Sequence, residues 1–562
     1  MVDINIRIAG EAGQGIETAG EVLAGAFARV GFYVFATKSY MSRIRGGLNW
    51  YDIRLAREAL YCGRTDADIL LSLTADGVKV LGERTRTGSL VIGEEKAVGD
   101  IPGCTLIDMT GAAQEVAGSK LMANMVAAGA VFGATPCDIA PLLEQIGDVF
   151  SSKGSEVVSK NRSCAGQGAE LAVDLSLDMP FPQPGSAPDF LCSGTEAVGL
   201  GAATSGVNFA SGYPMTPATG VLTYLAEHAH EYGIVVEQAE DEIAAINMVC
   251  GAAYAGARAL TATSGGGFAL MTEGLSLSGM LELPLLVVLG QRPGPATGLP
   301  TRTAQQDLRF AINGGHGEFP RAVFAPGTPE EAFHLTRKAL EVAHRCQIPS
   351  ILMTDQFLAD QVRNMTPFDP DIDPVDRCIE PDPGTGYRRY EVTAGGVSPR
   401  AVPGGDALVR VDSDEHDTEG RITEDLDVRM EQQDKRMRKE RGLLEDWVEP
   451  VRYGPPDCEE IFIVWGSTYG PCREAVDILN SSGRRAAMVH FPQVWPLDAG
   501  RARAAIQGKA DSWPHITVVE GNATAQLAGV LKERRIVAAH ESILKYDGMP
   551  LTGEEIVAAA TR

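Results

Sequence analysis

Apolar and polar residues alternate along residues 3–9, with Ile4, Ile6 and Ile8 in step, which predicts a strand. Gly10, Gly13 and Gly15 follow. Ile16, Ala19, Val22, Leu23, Ala26 and Phe27 then recur at helical spacing across residues 16–30, and Phe32-Tyr33-Val34-Phe35 reads as the next strand. The chain therefore opens as strand, glycine loop, helix, strand. The same alternation of elements continues to about residue 175 and is broken at 178–189, where four prolines and one glycine mark a linker.

From Gly194 the alternation resumes. Residues 258–263 predict a strand, Gly265-Gly266-Gly267 a turn, residues 268–282 a helix, and the unbroken apolar run 285–289 a strand buried on both faces. Residues 370–450 differ: prolines, glycines and charges dominate. Asp412, Asp414, Glu415, Asp417 and Glu419 surround His416, a composition that suits a solvated acidic loop better than a metal site, and residues 429–441 read as a charged surface helix. A further strand at 461–465, a loop through Gly466 and Gly470, and a helix open another α/β segment over 459–537. The expected fold class is multidomain α/β. The expected boundaries are 1–177, a linker at 178–189, 190–369, a charged insertion at 370–450, and 451–562.

Composition narrows the function. A chain of 562 residues exceeds one core, and 44% hydrophobic residues can furnish several. Net charge is −25 and the isoelectric point about 4.8, which makes nucleic acid and anionic membranes poor partners. Mean hydropathy is −0.04, the apolar run at 281–290 is too short to cross a bilayer, and the first residues lack the basic-then-apolar layout of a signal peptide. The expectation is a soluble cytoplasmic protein. None of the ten cysteines lies two or three residues from another, so reduced core thiols are expected rather than a zinc or iron–sulfur site held by this chain alone.

Two features of the first segment suit phosphate. Gly13, Gln14 and Gly15 lie where a strand gives way to a helix, whose N-terminal N–H groups favour anions. The spacing Gly-x-x-Gly-x-Gly is not the dinucleotide fingerprint, and Ala36-Thr37-Lys38-Ser39-Tyr40 offers no acid for a ribose, which disfavours NAD. The glycines serve a tight turn equally well. Arg43 and Arg45 stand beside Gly46-Gly47 and fit either a phosphate clamp or ordinary surface charge.

The richest chemistry follows residue 210. Tyr213-Pro214-Met215-Thr216-Pro217 holds a hydroxyl between two prolines. Glu240, Asp241 and Glu242 open an otherwise apolar helix, where they either complement its dipole or supply a desolvated carboxylate. Arg292 follows the buried strand, at the strand end where open α/β sheets bind ligands. Arg302, in Gly298-Leu299-Pro300-Thr301-Arg302-Thr303, is a second cation that suits a ligand or an interface.

In this order, these runs resemble the 2-oxoacid:ferredoxin oxidoreductases, specifically a fused gamma–alpha subunit. Tyr213-Pro214-Met215-Thr216-Pro217 is similar to the family's Tyr-Pro-Ile-Thr-Pro signature, and Val489-His490-Phe491-Pro492 and Val519-Glu520-Gly521-Asn522 are similar to a transketolase C-terminal domain. The resemblance implies a Rossmann-like gamma domain, a pyrimidine-binding domain of the thiamine diphosphate fold and a transketolase C-terminal-like domain. It implies Glu242 as the cofactor-activating carboxylate, Tyr213 and Pro214 beside the cofactor, Thr216 and Arg292 on the 2-oxoacid, and Gly13, Gln14, Gly15, Arg43 and Arg45 on coenzyme A.

Arg302 would suit a second carboxylate, so the motif resembles the 2-oxoglutarate branch more than the pyruvate branch. No Gly-Asp-Gly run for a cofactor diphosphate occurs in the chain. In the family that half, with magnesium and an iron–sulfur cluster, belongs to a separate beta subunit, which implies an (alpha–beta)2 heterotetramer passing electrons to ferredoxin, with no metal on this chain. The expected reaction is oxidative decarboxylation of 2-oxoglutarate to succinyl-CoA, or its reverse. Branched-chain 2-oxoacids, indolepyruvate and pyruvate are the alternative substrates, and a non-catalytic scaffold is the alternative class.

Overall fold

The computed structural model describes residues 2–42, 46–175, 177–369, 372–509, 513–538 and 540–562. They form two compact units, Met1–Ser193 with Asp360–Phe368, and Gly194–Ala359 with Asp369–Arg562. Among the described residues no helix is long and apolar enough to cross a membrane.

The first unit is built on an eight-stranded sheet. Its order is Thr105–Ile107, Thr85–Glu94, Ala67–Ser72, Asp3–Glu11, Leu48–Ala56, Tyr33–Ser39, Val362–Asn364, Leu191–Ser193. The first four strands run parallel and the pairings beyond Asp3–Glu11 are antiparallel. Leu48–Ala56 lies between the two strands joined by the Ile16–Val30 helix, which packs Val22, Leu23 and Phe27 into the core and stacks Phe27 on Phe132 at 4.8 Å. The polar positions of the central strand are also buried, paired rather than hydrated. Arg7 grips Asp52 through two bonds of 2.6 and 3.0 Å, and Asp3 receives Arg54 at 2.6 Å and Arg64 at 3.0 Å.

The boundaries drawn from composition differ from these units. Residues 178–189 carry no helix or strand, yet they are held against the first unit: the Gly185 N–H donates to Gly31 O at 2.9 Å and Asn364 Nδ2 donates to Pro188 O. Leu191–Ser193 and Val362–Asn364, expected in the middle domain, extend the first sheet. Three-residue strands leave no periodicity to read.

The second unit holds two sheets. One is seven-stranded, in the order Gln493–Trp495, Ala322–Phe324, Pro349–Asp355, Leu285–Gln291, Ala259–Thr263, Phe209–Gly212, Val235–Gln238, and parallel except at Gln493–Trp495. Leu285–Gln291 and Pro349–Asp355 are buried throughout, as an unbroken apolar run requires of central parallel strands. The other sheet, Val451–Tyr453, Ala486–His490, Glu460–Val464, His515–Glu520, Glu541–Leu544, is parallel except at its first strand. The expected turn at 265–267 is instead the start of a short helix, Gly265–Leu270, followed by Thr272–Leu281.

The charged segment 370–450 is the largest departure from expectation. The Leu426–Glu445 helix is a surface helix on one face only: on the other, Gln432, Lys435, Arg436 and Lys439 are buried. Lys435 and Lys439 reach Glu282 at 2.7 and 2.5 Å. Arg389 caps the Thr272–Leu281 helix by donating to Leu281 O and Glu282 O at 3.1 and 2.8 Å, where the helix dipole favours a cation. His416 is buried against Tyr390, ring centroids 3.7 Å apart, and Glu415 pairs with Arg436 and Arg429 at 2.8 and 2.6 Å. Among the described residues no acid or histidine cluster could hold a metal ion.

Burial would raise the Glu282 carboxyl, but Lys439, Lys435 and Arg389 outweigh it and hold it well below the usual range. Lys435 is pushed down to about 8, by burial first and by Lys439 and Arg389 next, against the pull of Glu282. Glu282→Gln strips the anion from two buried ammonium groups. It should cost about 3–5 kcal/mol in chemical denaturation at pH 7, and a loss under about 1 kcal/mol, as for a surface pair, would show that the lysines find other partners.

Candidate active site

Five parallel strands of the seven-stranded sheet deliver their carboxyl ends to one edge, at Gly212, Gln238, Thr263, Gln291 and Asp355. The sequence-predicted residues of this unit follow those ends. Phe209–Gly212 leads into Tyr213, Pro214 and Thr216, Val235–Gln238 leads to Glu242, and Leu285–Gln291 leads to Arg292. The order of the strands reverses about Phe209–Gly212 and Ala259–Thr263, the switch point at which open α/β sheets form a crevice.

Three adjacent acids have three fates. Glu240 is exposed. Asp241 is the N-cap of the Glu242–Tyr254 helix and accepts from the Ala244 N–H at 2.8 Å, satisfying an orphan donor. Glu242 turns inward and is 2% exposed. Its Oε1 accepts from the Thr263 hydroxyl at 3.3 Å. A Cβ on Gly267 would lie 2.3 Å from the same oxygen and 2.0 Å from Thr263 Oγ1, so a side chain there would evict the carboxylate. Thr263 and Gly267 were not picked out from sequence. The run Ser264-Gly265-Gly266-Gly267 held the signal, since three glycines at a strand end mark a close approach as well as a turn.

Arg292 is half-buried and donates from Nη1 to Thr216 O at 2.8 Å, tying the Tyr213–Thr216 loop to the end of Leu285–Gln291 across the intervening Ala259–Thr263 strand. Thr216 is itself half-buried, while Tyr213 and Pro214 are exposed. Gln306 Nε2 donates to Arg292 O at 3.0 Å, and the Asp307 N–H donates to Gln291 Oε1 at 3.1 Å. Burial lowers the Arg292 guanidinium from its ordinary value, and Asp307 and Glu242 pull it back.

Arg302 lies on the following loop, its N–H donating to Leu299 O at 3.2 Å and its side chain packed against Gly548, where a Cβ would fall 3.1 Å from Arg302 Cβ. In the first unit, Gly13 and Gly15 have φ of 95° and 72°, which the turn demands. Asn124 Nδ2 donates to Gly15 O at 3.2 Å, and Gln14 Oε1 accepts from the Glu11 N–H at 2.7 Å. Arg43 and Arg45 lie outside the described residues.

Asp307 is a further acid that the sequence reading passed over. Burial pushes its carboxyl up to about 6, with Arg292 opposing, and its Oδ2 is buried without a hydrogen-bond partner. A carboxyl raised in the folded state binds its proton there in preference to the unfolded state, so folding becomes less favourable as pH climbs from about 4 to about 6. Asp307→Asn removes that cost. It should raise the unfolding free energy above pH 6 by up to about 3 kcal/mol and change it little near pH 4. An equal effect at both values would show that the carboxyl titrates normally.

Comparison with known proteins agrees with this geometry. Residues 200–435 match the family described as pyruvate flavodoxin/ferredoxin oxidoreductase, thiamine diP-binding, and residues 5–171 match pyruvate ferredoxin/flavodoxin oxidoreductase. The 2-oxoacid:ferredoxin oxidoreductase subunit alpha of Sulfolobus sp is 31% identical over 98% of this chain and 95% of its own length. The 2-oxoglutarate synthase subunit KorA of Archaeoglobus fulgidus is 31% identical over 65% of this chain and 97% of its own. Among solved structures, the 2-oxoglutarate:ferredoxin oxidoreductase from Magnetococcus marinus, with 2-oxoglutarate, coenzyme A and succinyl-CoA bound, superposes with a TM-score of 0.92 at 32% identity, over 100% of this chain and 99% of that one. With a buried carboxylate bonded at the end of Ala259–Thr263, an arginine at the end of the next strand and family likeness along its whole length, this chain belongs to the 2-oxoacid:ferredoxin oxidoreductases, as an alpha subunit of that oxidoreductase family.

Proposed function

We propose that the chain is the alpha subunit of a 2-oxoglutarate:ferredoxin oxidoreductase. It would carry out, with a beta subunit, the coenzyme A-dependent oxidative decarboxylation of 2-oxoglutarate to succinyl-CoA and carbon dioxide, or the reverse carboxylation, exchanging electrons with ferredoxin. The observation that carries the reading is the convergence on one edge of the sheet of Glu242, bonded to Thr263 at the end of Ala259–Thr263, and the Thr216–Arg292 pair, which follows the strands on either side of it. Glu242 fits the aminopyrimidine of thiamine diphosphate: it is buried, it accepts from a single hydroxyl, Thr263, and a carboxylate has about four acceptor sites, so it can take a ring N–H as well. The absence of a diphosphate motif supports a partner that supplies that half, with magnesium and the iron–sulfur cluster, in an (alpha–beta)2 assembly.

When bound, thiamine diphosphate supplies a carbon nucleophile and the sink for the electrons left by decarboxylation. Glu242 would hold and share the proton of the pyrimidine ring. Tyr213 and Pro214 would flank the cofactor. Arg292 would grip the carboxylate of the 2-oxoacid head, with Thr216 beside it, and Arg302 the distal carboxylate. In the first unit, Gly13, Gln14 and Gly15, with Arg43 and Arg45, would take the phosphates of coenzyme A.

The alpha–beta complex purified from its native host should reduce ferredoxin with 2-oxoglutarate in preference to pyruvate, branched-chain 2-oxoacids or indolepyruvate. A stronger response to one of those would reassign the substrate, and a response to none would return the chain to a scaffold. Glu242→Gln should leave the complex assembled and lower turnover by about 10²–10⁴-fold. Near-normal turnover would mean that another carboxylate serves.

Arg302→Ala should weaken 2-oxoglutarate far more than 2-oxobutyrate, because the two share a head and differ in the distal carboxylate. Loss of one charge-assisted hydrogen bond is worth about 1.5–3 kcal/mol, or roughly ten- to hundredfold in kcat/KM. Equal weakening of both would place Arg302 with the common head or with the fold.

A further inference from the structure

From Thr303 onward the loop that carries Arg302 is bound to segments that follow strands of the five-stranded sheet. The Thr303 N–H donates to Gly548 O at 3.1 Å, and the Gln305 N–H donates to Gly521 O at 2.7 Å. Gln305 is 2% exposed and its side chain is held at both ends: Nε2 donates to Trp465 O at 2.7 Å and Oε1 accepts from the Gly521 N–H at 2.8 Å. Its carbonyl accepts from Asn522 Nδ2 at 2.9 Å.

On the far side of Gln305, Gln526 Nε2 donates to Gln306 O at 2.6 Å and Gln526 Oε1 accepts from the Arg309 N–H at 2.9 Å. The turn that makes these bonds is itself anchored. Glu520 is fully buried and accepts from Trp465 Nε1 at 3.2 Å, Asn522 Nδ2 at 2.8 Å, and the Leu527 and Ala528 N–H groups at 2.9 and 3.1 Å.

On its other face the same segment touches the substrate side, through Gln306 to Arg292 O and through Asp307 to Gln291. A segment fixed by neutral, geometrically exact bonds on one side and joined to a ligand-binding arginine on the other is a spacer. We propose that Gln305 is a positioning residue that sets the distance between Arg302 and Arg292, and with it the length of dicarboxylate the enzyme selects. The Glu520-Gly521-Asn522 turn of the five-stranded sheet thereby acts as a specificity element without touching substrate. This rests on the assignment of Arg302 to a distal carboxylate.

The test uses the alpha–beta complex, with 2-oxoglutarate and 2-oxobutyrate assayed side by side. Gln305→Ala should raise KM for 2-oxoglutarate about tenfold while leaving KM for 2-oxobutyrate and both kcat values within about threefold. The double variant Gln305→Ala/Arg302→Ala should be no worse on 2-oxoglutarate than Arg302→Ala alone, since a residue acting through Arg302 has nothing further to lose. Equal KM increases for both substrates, or additive losses in the double variant, would overturn the inference. Arg302→Ala by itself decides the substrate assignment: selective loss there with no selectivity in Gln305→Ala would leave the substrate standing and remove the spacer. Should Gln305→Ala fail to assemble, Gln526→Ala loosens the same segment from its other end and is held to the same two outcomes.

Discussion

Glu242 has to be out of water and still have acceptor capacity to offer, and the architecture of the second unit meets both conditions at one point. A buried carboxylate is costly unless its surroundings compensate it. Here the helix N-terminus faces it, Asp241 takes over the capping duty, and the Thr263 hydroxyl at 3.3 Å occupies one of its lone pairs. Gly267 then brings the following helix within a distance that no Cβ allows. Ala259–Thr263 is buried throughout beside the carboxylate, while the edge strand Val235–Gln238 and the loop residues Tyr213 and Pro214 remain largely open.

A different economy of charge holds the 370–450 segment. It has no apolar periodicity from which to build a core, so it docks through paired ions. Glu282 accepts two ammonium groups at a helix C-terminus already capped by Arg389. Such a cluster is not a strong source of net stability, because desolvation consumes most of the attraction. It is, however, intolerant of partial loss: with Glu282 removed, the two buried ammonium groups must shed their protons or stay unpaired among like charges. The segment is specified by charge matching in the way that the sheets are specified by apolar runs.

The contrast explains what could be read in advance. Residues 285–289 announced a buried strand because five apolar residues in a row have no other place, whereas Glu242 was singled out by the resemblance of the surrounding runs, since an acid in the first turn of a helix is ordinary. Asp307 gave no such sign: its carboxylate packs against Gly265, which is distant in sequence. Lys435 and Lys439 read as solvated because lysine usually is, and the partner that buries them lies more than a hundred residues away. The three-residue strands at 191–193 and 362–364 carry too little pattern for any period to show. What stayed hidden in each case was a long-range pairing, not a local preference.

The same pairings bear on how much negative charge the proposed substrate site can accept. Arg292 brings one positive charge and Glu242 one negative, so the pair is balanced before any ligand arrives. Asp307 adds little to the negative side where its carboxyl keeps its proton, and its rise to about 6 means that it does so only in mildly acidic conditions. Near neutral pH the site has two carboxylates against one guanidinium, and a monocarboxylate would enter against that excess. A dicarboxylate would be harder still to admit, unless a cation outside the Arg292–Glu242 pair meets its far end. The Arg302 loop is suited to that on two grounds: it is the next segment after the Arg292 strand end, and its backbone is immobilised by the five-stranded sheet rather than by other charges.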